Sequence, residues 1–192
     1  MSAVAIAALA VLGANGCKSR VSSDPVPTVA STNPEKGPSL LTEKPLSGAL
    51  EALKEAVGGD VQAIELRIYP TRVVLQAQDP KRPSNVDQYI YKDGKVGKAV
   101  PVKLQGTGKL EDNLFPLSDI KLERIPPLAG RALSELRLEN AHVGFVSVKR
   151  DLPRSMAIRL RVKVQSPRKD AYWDTDVDGN PIASDAGADA AP

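Results

Sequence analysis

A helix-like segment followed by strand-like segments occurs twice in this chain of 192 residues, and this pattern constrains the fold more than any other feature. PLSGALEALKEAV (45–57) spaces its leucines as the apolar face of a helix requires. PLAGRALSELRL (127–138) has the same design at an offset of 83 residues. Such self-similarity predicts an internal duplication. The matched leucines are Leu50 with Leu133 and Leu53 with Leu136.

Alternating apolar residues follow each helix segment, in AIELRIY (63–69) and in GFVSVKR (144–150). This is the period of a strand with one buried face. TRVVLQAQDPKR and MAIRLRVKVQSPRK are predicted as the second strands. The residues predicted to point inward from the first strands are Ile64, Leu66, Ile68, Val146 and Val148.

The third strands are predicted in VDQYIYKDGKV and KDAYWDTDVDGNPI. They are matched at the offset of 83 through Asp87 with Asp170 and Tyr89 with Tyr172. Both segments reach an Asp-Gly pair, which is typical of a tight hairpin turn. These pairs are Asp93-Gly94 and Asp178-Gly179.

Together the patterns predict an α+β fold of two tandem repeats, each with one helix packed on a three- to four-stranded antiparallel sheet. The first repeat is expected over 46–104 and the second over 127–182, with a connector over 105–126 that adds a strand. This layout resembles PepSY-like domains and tandem helix-plus-sheet inhibitors of the β-lactamase-inhibitor type. The resemblance implies a binding or inhibitory role rather than catalysis.

The only cysteine, Cys17, follows an uncharged apolar run from Met1 to Leu12. The run is shorter than the roughly 20 residues that a membrane-spanning helix needs, and it is typical of the apolar region of a secretory signal. The small residues Ala14-Asn15-Gly16 then precede Cys17. This junction resembles the lipobox of bacterial lipoproteins.

The lipoprotein resemblance implies that residues 1–16 are a signal peptide and that the sulfur of Cys17 carries a diacylglycerol. Lys18 then implies sorting to the outer membrane, so the protein is expected in the cell envelope, lipid-anchored, facing the periplasm or the cell surface. Two alternatives stay open: an ordinary secreted protein, and a buried N-terminal helix.

Residues 17–45 join the cysteine to the first helix segment and are rich in Pro, Ser and Thr, with five prolines after Cys17. They show no sustained apolar period, so we expect a disordered tether. ASDAGADAAP (183–192) is small and acidic and is expected to be a disordered tail. The folded part is therefore predicted to stand on a flexible linker above its membrane.

Charge is unevenly distributed along the chain. Residues 61–169 contain 21 Lys or Arg and 11 Asp or Glu, whereas residues 170–192 contain six acids and no basic residue. The strand IRLRVKV places its cations on one face. This face is either solvated or a surface for an anionic partner, and an extracytoplasmic address argues against nucleic acid. The candidate surface comprises Arg159, Arg161, Lys163, Arg168 and Lys169.

Aromatic residues make up only 4% of the chain, so we ask of each one whether it is buried or exposed. Buried, they would fill space beneath the helices, and exposed, they would form amphipathic contacts for a peptide or a sugar. Trp173 is the best single candidate for a contact residue. The candidate contact aromatics are Tyr89, Tyr91, Tyr172 and Trp173.

The segment DTDVDG has carboxylates at alternate positions and a glycine in the sixth, which is how a calcium-binding loop of the EF-hand type begins. A hairpin with an acidic rim explains the same residues, because Asp178-Gly179 matches Asp93-Gly94. We therefore treat Asp174, Asp176 and Asp178 as a weak calcium candidate and predict no cofactor.

Catalytic motifs are not evident. His142 is the only histidine, and neither Ser134 nor Ser147 stands in a nucleophile-elbow motif. The sequence thus predicts a lipid-anchored envelope protein whose duplicated domain binds a macromolecule, be it a protein, a glycan or an anionic lipid, without catalysis. The alternatives are a periplasmic or secreted hydrolase that uses His142, and a structural lipoprotein that rests on anionic lipid or peptidoglycan.

Overall fold

Two long helices lie on the same face of one antiparallel sheet in the computed structural model, which describes residues 39–106 and 108–182. The helices are α1 (Glu43–Val57), α2 (Leu110–Asn113) and α3 (Ile125–Leu136). The strands are β1 (Gln62–Ile68), β2 (Arg72–Asp79), β3 (Arg82–Lys92), β4 (Lys95–Val96), β5 (Val100–Pro101), β6 (Phe115–Pro116), β7 (His142–Arg150), β8 (Ile158–Gln165) and β9 (Asp170–Thr175).

The ends of the two long helices follow from local chemistry. α1 ends where Gly58 adopts a left-handed conformation (φ 81°) and donates its N–H to the carbonyl of Lys54. Glycine adopts that conformation without steric cost. α3 begins with two prolines in its first turn, where the missing N–H groups have no helical partner to lose. It ends at Arg137, which adopts the left-handed conformation without being glycine.

The strands form one sheet in the order β4-β3-β2-β1-β7-β8-β9, with β5 paired to β3 and β6 paired to β1. This confirms a mixed α+β fold and corrects the predicted size of the sheet. We expected two sheets of three or four strands, but all nine strands of the described residues belong to a single sheet. The reason is that β1 pairs with β7, so the first strands of the two halves join at the centre instead of remaining exposed edges.

The hydrophobic core lies between the two long helices and one face of the sheet, which we call the covered face. Inward residues of the central strands, such as Leu66, Val146 and Val162, have no exposed surface. Leu50 of α1 and Ala132 of α3 belong to the same apolar cluster, which shows that both helices pack on the covered face. Leucine, isoleucine and valine provide most of this core, as the low aromatic content predicts.

The register shifts at three places in the described sheet, and those in the central strands β1 and β7 are single-residue bulges. In β1 the register shifts between Ala63 and Glu65, so Ile64 is the extra residue and only half-buried, whereas the sequence predicted it to point inward. In β7 the register shifts between Val143 and Phe145, which makes Gly144 the extra residue. A bulge inserts one residue and changes the direction of the side chains that follow it.

The third strands of the two halves do not match at the offset read from the sequence. Tyr89 pairs with Leu75 and lies on the covered face, whereas Tyr172 pairs with Lys163 and lies on the opposite face. On β9 the aromatic residue on the covered face is Trp173, one residue later. A shift of one residue exchanges the two faces of a strand, so matching Tyr89 with Tyr172 at the offset of 83 does not place the two rings on the same face.

The connector between the two halves contains little regular secondary structure. Its strand β6 pairs with the start of β1, and Phe115 is completely buried there. Of the described helices, none has the length and apolar character needed to cross a membrane.

Candidate functional site

We call the face of the sheet opposite the helices the open face. Most of its side chains are half-buried. Neither of the two long helices packs against it among the described residues. Its strand residues point away from the core because they alternate with the buried ones. Most of them are partly exposed, so this face is the widest accessible part of the sheet.

An in-register row of side chains crosses four neighbouring strands of the open face. Phe145 of β7 is paired with Lys163 of β8, and Lys163 with Tyr172 of β9. Tyr69 follows the last residue of β1 and lies beside Phe145, with 5.6 Å between the ring centroids. We call Tyr69, Phe145, Lys163 and Tyr172 the aromatic row.

A second row lies two residues further along the same strands. It runs from Arg67 on β1 through Ser147 on β7 and Arg161 on β8 to Asp174 on β9. We call these four residues the guanidinium row. Its arginines lean back over rings of the aromatic row.

Three guanidinium groups stack on the rings of the aromatic row. The carbon of the Arg67 guanidinium is 5.2 Å from the centroid of Phe145, and that of Arg161 is 5.1 Å from Tyr172. At the end of the row, the Arg72 guanidinium lies 4.0 Å from the Tyr69 ring. Such cation–π contacts hold the arginines in defined positions.

The cations predicted on IRLRVKV do lie together on the open face, and each has a carboxylate partner. Arg161 makes a bidentate pair with Asp174, with Nε–Oδ1 at 2.8 Å and Nη2–Oδ2 at 2.9 Å. Lys163 is 2.7 Å from Asp170. Arg159 is 2.9 Å from Asp151 and 3.9 Å from Asp174. The cations of this strand and their carboxylate partners therefore form ion pairs instead of a uniformly basic stripe.

The depth of these carboxylates differs. Asp174 is 1% exposed and Asp151 is 9% exposed, so both lie beneath the surface of the open face. The side chain of Asp170 is 41% exposed at the end of β9. The buried carboxylates fix the arginines from below, and the charge that faces solvent is mainly positive.

Hydrogen bonding and burial shift the pKa values of these groups. The hydrogen bond between Lys163 and Asp170 raises the pKa of the lysine and lowers that of the aspartate. Burial alone would lower the pKa of Arg67, but the neighbouring Tyr69 side chain and the Glu65 carboxylate outweigh it and raise this pKa. Each cation of these pairs therefore stays charged on the open face.

The other two predicted cations, Arg168 and Lys169, lie in the exposed turn between β8 and β9. They are beside the aromatic row at its Tyr172 end but do not belong to either row. Neither forms an ion pair within the described part of the chain.

The candidate aromatics divide between the two faces. Tyr89 and Trp173 are 7% and 9% exposed on the covered face, and Arg131 of α3 stacks over Trp173 at 5.2 Å. Tyr91 packs at the margin of the same core. Burial removes Trp173 from the accessible surface, because its neighbour Tyr172 is the residue of that pair that faces outward.

The three carboxylates of DTDVDG are engaged with different partners. Asp174 binds Arg161, Asp176 accepts N–H groups from Asp178 and Asn180, and Asp178 lies 2.7 Å from Nζ of Lys121. Burial alone would raise the pKa of Asp176, but the hydrogen bonds that its carboxylate accepts outweigh burial and lower this pKa. Over 39–106 and 108–182, no three His, Cys, Asp or Glu side chains converge as a metal-binding cluster.

Both Asp-Gly pairs form turns, as predicted. Gly94 and Gly179 have φ angles of 78° and 82°, and the chain after Gly179 folds back so that Pro181 bridges Thr175. The second turn also docks on the N-terminal half of α3. Arg131 donates to the carbonyl of Gly179 at 3.1 Å, which links this turn to the helix.

His142 is exposed at the start of β7 and pairs in register with Gln165. Ser147 lies five positions further along the same strand, which separates the two residues by about 16 Å at the rise of an extended chain. Ser134 belongs to α3, on the other side of the sheet. The structure does not bring either of these two serines together with His142.

Sequence reasoning missed the first-half contribution to the open face. The signal was present, since strands that point Leu66 and Val146 inward must point Arg67 and Phe145 outward. What the sequence did not show is that β1 and β7 are neighbours, so that these outward residues meet. Cys17, residues 17–38 of the predicted tether and the acidic tail lie outside the described residues. The end of the predicted tether is wrong, because Leu40 is buried in the core and α1 begins at Glu43.

Comparisons of the chain with profiles of protein families, with curated proteins and with solved structures gave no match.

Proposed function

We propose that this chain is a lipid-anchored cell-envelope protein whose α+β domain binds a macromolecular partner through the open face and catalyses no reaction. The observation that carries the binding role is the open face itself. It combines half-exposed rings with arginines that are held in place by stacking and by buried carboxylates. Tyrosine and arginine are the residue types that contribute most at binding surfaces.

The finer architecture that we propose is an internal duplication. Three observations support it: the order of one long helix and three strands occurs twice, the two sets are arranged as β3-β2-β1 beside β7-β8-β9, and each first strand has a bulge. Arg67 and Tyr69 come from one half, whereas Phe145 and Tyr172 come from the other. In this proposal the partner therefore meets one shared surface instead of two separate sites.

The envelope address rests on the sequence before the folded domain. The lipobox-like Ala14-Asn15-Gly16-Cys17 would place an acyl anchor on Cys17, and Lys18 favours the outer membrane. Two or more acyl chains give stable membrane attachment, since each buried methylene contributes about 0.8 kcal/mol. The Pro-rich tether would then let the domain reach a partner above the bilayer.

One preparation tests both parts of this proposal: the full chain in membranes of its native host, with a photo-reactive residue at position 172. The first readout is the intact mass. We expect a chain that begins at Cys17 and carries added acyl mass, which a Cys17→Ser variant lacks and a Ser19→Ala control keeps. A full-length, unmodified chain in the soluble fraction would refute the lipid anchor.

The second readout is cross-linking in the intact envelope. A reactive group at Tyr172 should give a discrete product, whereas the same group at Glu51, an exposed residue of α1, should not. Phe145→Ala should reduce the Tyr172 product if the aromatic row forms the contact. Equal products from both positions, or a Tyr172 product insensitive to Phe145→Ala, would count against the open face as the binding surface.

A further inference from the structure

We propose that the open face binds an anionic polysaccharide, laid across the strands along the aromatic row; this inference rests on the proposed binding role of that face. The first argument is the charge presented to solvent. Among the described residues of this face, the partly exposed cations are Arg67, Arg72, Lys149, Arg161 and Lys163, and the carboxylates that reach solvent are those of Glu65 and Asp170. An occupant of this surface therefore meets an excess of positive charge.

Two of these cations have no counter-ion in the part of the chain that the structure describes. Among the described residues, Arg72 and Lys149 form no ion pair, although their neighbours Arg67 and Arg159 do. Lys149 also lies directly opposite Arg159 across β7 and β8. Like charges at paired positions destabilise a sheet, and a bound anion would relieve that repulsion.

Stacking on a ring leaves the N–H donors of an arginine available for an anion. A guanidinium that stacks on an aromatic ring uses its flat face, so the N–H donors in its plane can still point toward a ligand. Arg72 on Tyr69 is the clearest case because no carboxylate occupies its donors within the described chain. A carboxylate matches the guanidinium fork in a bidentate geometry.

The uncharged side chains favour a polysaccharide over other anionic polymers. Gln76 and Gln88 lie on the open face next to β1, and the amide of Gln76 donates to that of Gln88 at 3.3 Å. Gln165 extends this polar set toward β9. Amides and hydroxyls both donate and accept, which suits sugar hydroxyls, whereas phosphate groups of lipids and nucleic acids only accept.

The geometry of the aromatic row also fits a chain of sugar rings. Its members stand directly after β1 and on β7, β8 and β9, and adjacent strands of a sheet are spaced by about 4.8 Å. A polysaccharide that crosses the strands would place its rings against Tyr69, Phe145 and Tyr172, and one of its carboxylates toward Arg72. Lipid insertion fits less well, because, of the large apolar residues exposed in the described chain, Leu104 follows β5 and Met156 is in the β7–β8 loop, and only Val100 pairs with an open-face residue, Gln88.

The test measures binding of oligogalacturonate, which has one carboxylate on each ring, to the full chain in detergent by calorimetry. We expect saturable binding at least about tenfold tighter than binding of the fully methyl-esterified oligomer or of polyglutamate, since recognition needs both rings and charges. Arg72→Gln, Lys149→Gln and Phe145→Ala should each weaken binding. Lys54→Gln on α1 removes the same charge from the other side of the sheet and should not.

Several results would overturn this inference. Equal affinity for polyglutamate would mean that charge alone is recognised, and binding only to phosphatidylglycerol nanodiscs would identify a lipid surface as the occupant. Failure to bind oligogalacturonate, with the Tyr172 cross-link intact, would refute the polysaccharide and leave the proposed function standing. Loss of both results would refute the two together. Thermal unfolding of each variant separates lost binding from lost folding.

Discussion

The two faces of this one sheet are built from different chemistry. On the covered face, Leu66 and Val148 pack against the helices with no exposed surface, and their stabilisation comes from burial. On the open face, the buried Asp174 is held by its ion pair with the partly exposed Arg161. Buried ion pairs are often no more stabilising than apolar residues of the same size. The comparison teaches that the covered face explains why the chain folds, and that the open face is arranged for another purpose.

Removing an apolar side chain from the covered face should have the largest effect on stability. Leu66→Ala deletes a buried side chain at the centre of the sheet, between Leu75 and Val148. We expect a loss of about 3 kcal/mol in the free energy of unfolding, because the cavity cannot be filled by its neighbours. Urea denaturation measures this loss.

The matched control for Leu66→Ala is Val74→Ala on the open face of β2, where the side chain is half-buried. Its loss should be at most about 1 kcal/mol. Similar losses for the two variants would remove the distinction between the faces, since the open face would then contribute as much by burial as the covered one.

Breaking one ion pair of the open face should cost less than the core cavity but more than a surface pair. Asp174→Asn keeps the shape and leaves the guanidinium of Arg161 without its bidentate partner. We expect a loss of about 2 kcal/mol, as an uncompensated and nearly buried charge remains. Asp178→Asn, whose carboxylate is half-exposed beside Lys121, should cost below about 1 kcal/mol.

A double replacement sharpens the same point. Combining Asp174→Leu with Arg161→Met removes both charges and fills the space with apolar groups. Much of the stability lost in Asp174→Asn should return, while binding of the anionic probe should not. A double variant that is no more stable than Asp174→Asn would show that this pair is required for folding itself.

The smallest expected effect concerns acidity. Because Lys163 lowers the pKa of Asp170 in the folded state, the pair contributes stability above the unfolded pKa of about 4, and that contribution is lost as the pH falls through the folded value. Between pH 6 and pH 3, Asp170→Asn should therefore lose less in Tm than the natural chain does.

The difference in Tm loss should be about 1–3 °C, because the pair is partly exposed. Differential scanning calorimetry at the two pH values measures it. The natural chain keeps some acid sensitivity in either case, since the pKa values of Asp79 and Asp176 are also lowered. Identical pH dependence in the variant and the natural chain would exclude Asp170 as a contributor.

The candidate site was only partly predictable. The sequence placed Arg161 and Lys163 on one face of a strand and identified Tyr172, and all three belong to the two rows. It ranked Trp173 above Tyr172 because it had no means to tell which of two adjacent aromatics points inward. Arg67 and Phe145 were missed because they meet only when β1 pairs with β7, and the sequence does not show that pairing.

What the sequence alone determined is local. The leucine spacing of α1, its stop at Gly58 and the Asp93-Gly94 turn are each decided by a few neighbouring residues, whose conformational preferences do not depend on the rest of the chain. Alternation likewise determined which residues of one strand share a face.

Only the tertiary structure decided the rest. The pairing of β1 with β7 joins residues about eighty positions apart, and bulges at Ile64 and Gly144 adjust which side chains face outward. No local preference encodes such a choice, because several edge strands of similar apolar pattern could pair. The selection among them depends on how the whole sheet buries its covered face beneath both helices, and that same selection assembles the open face.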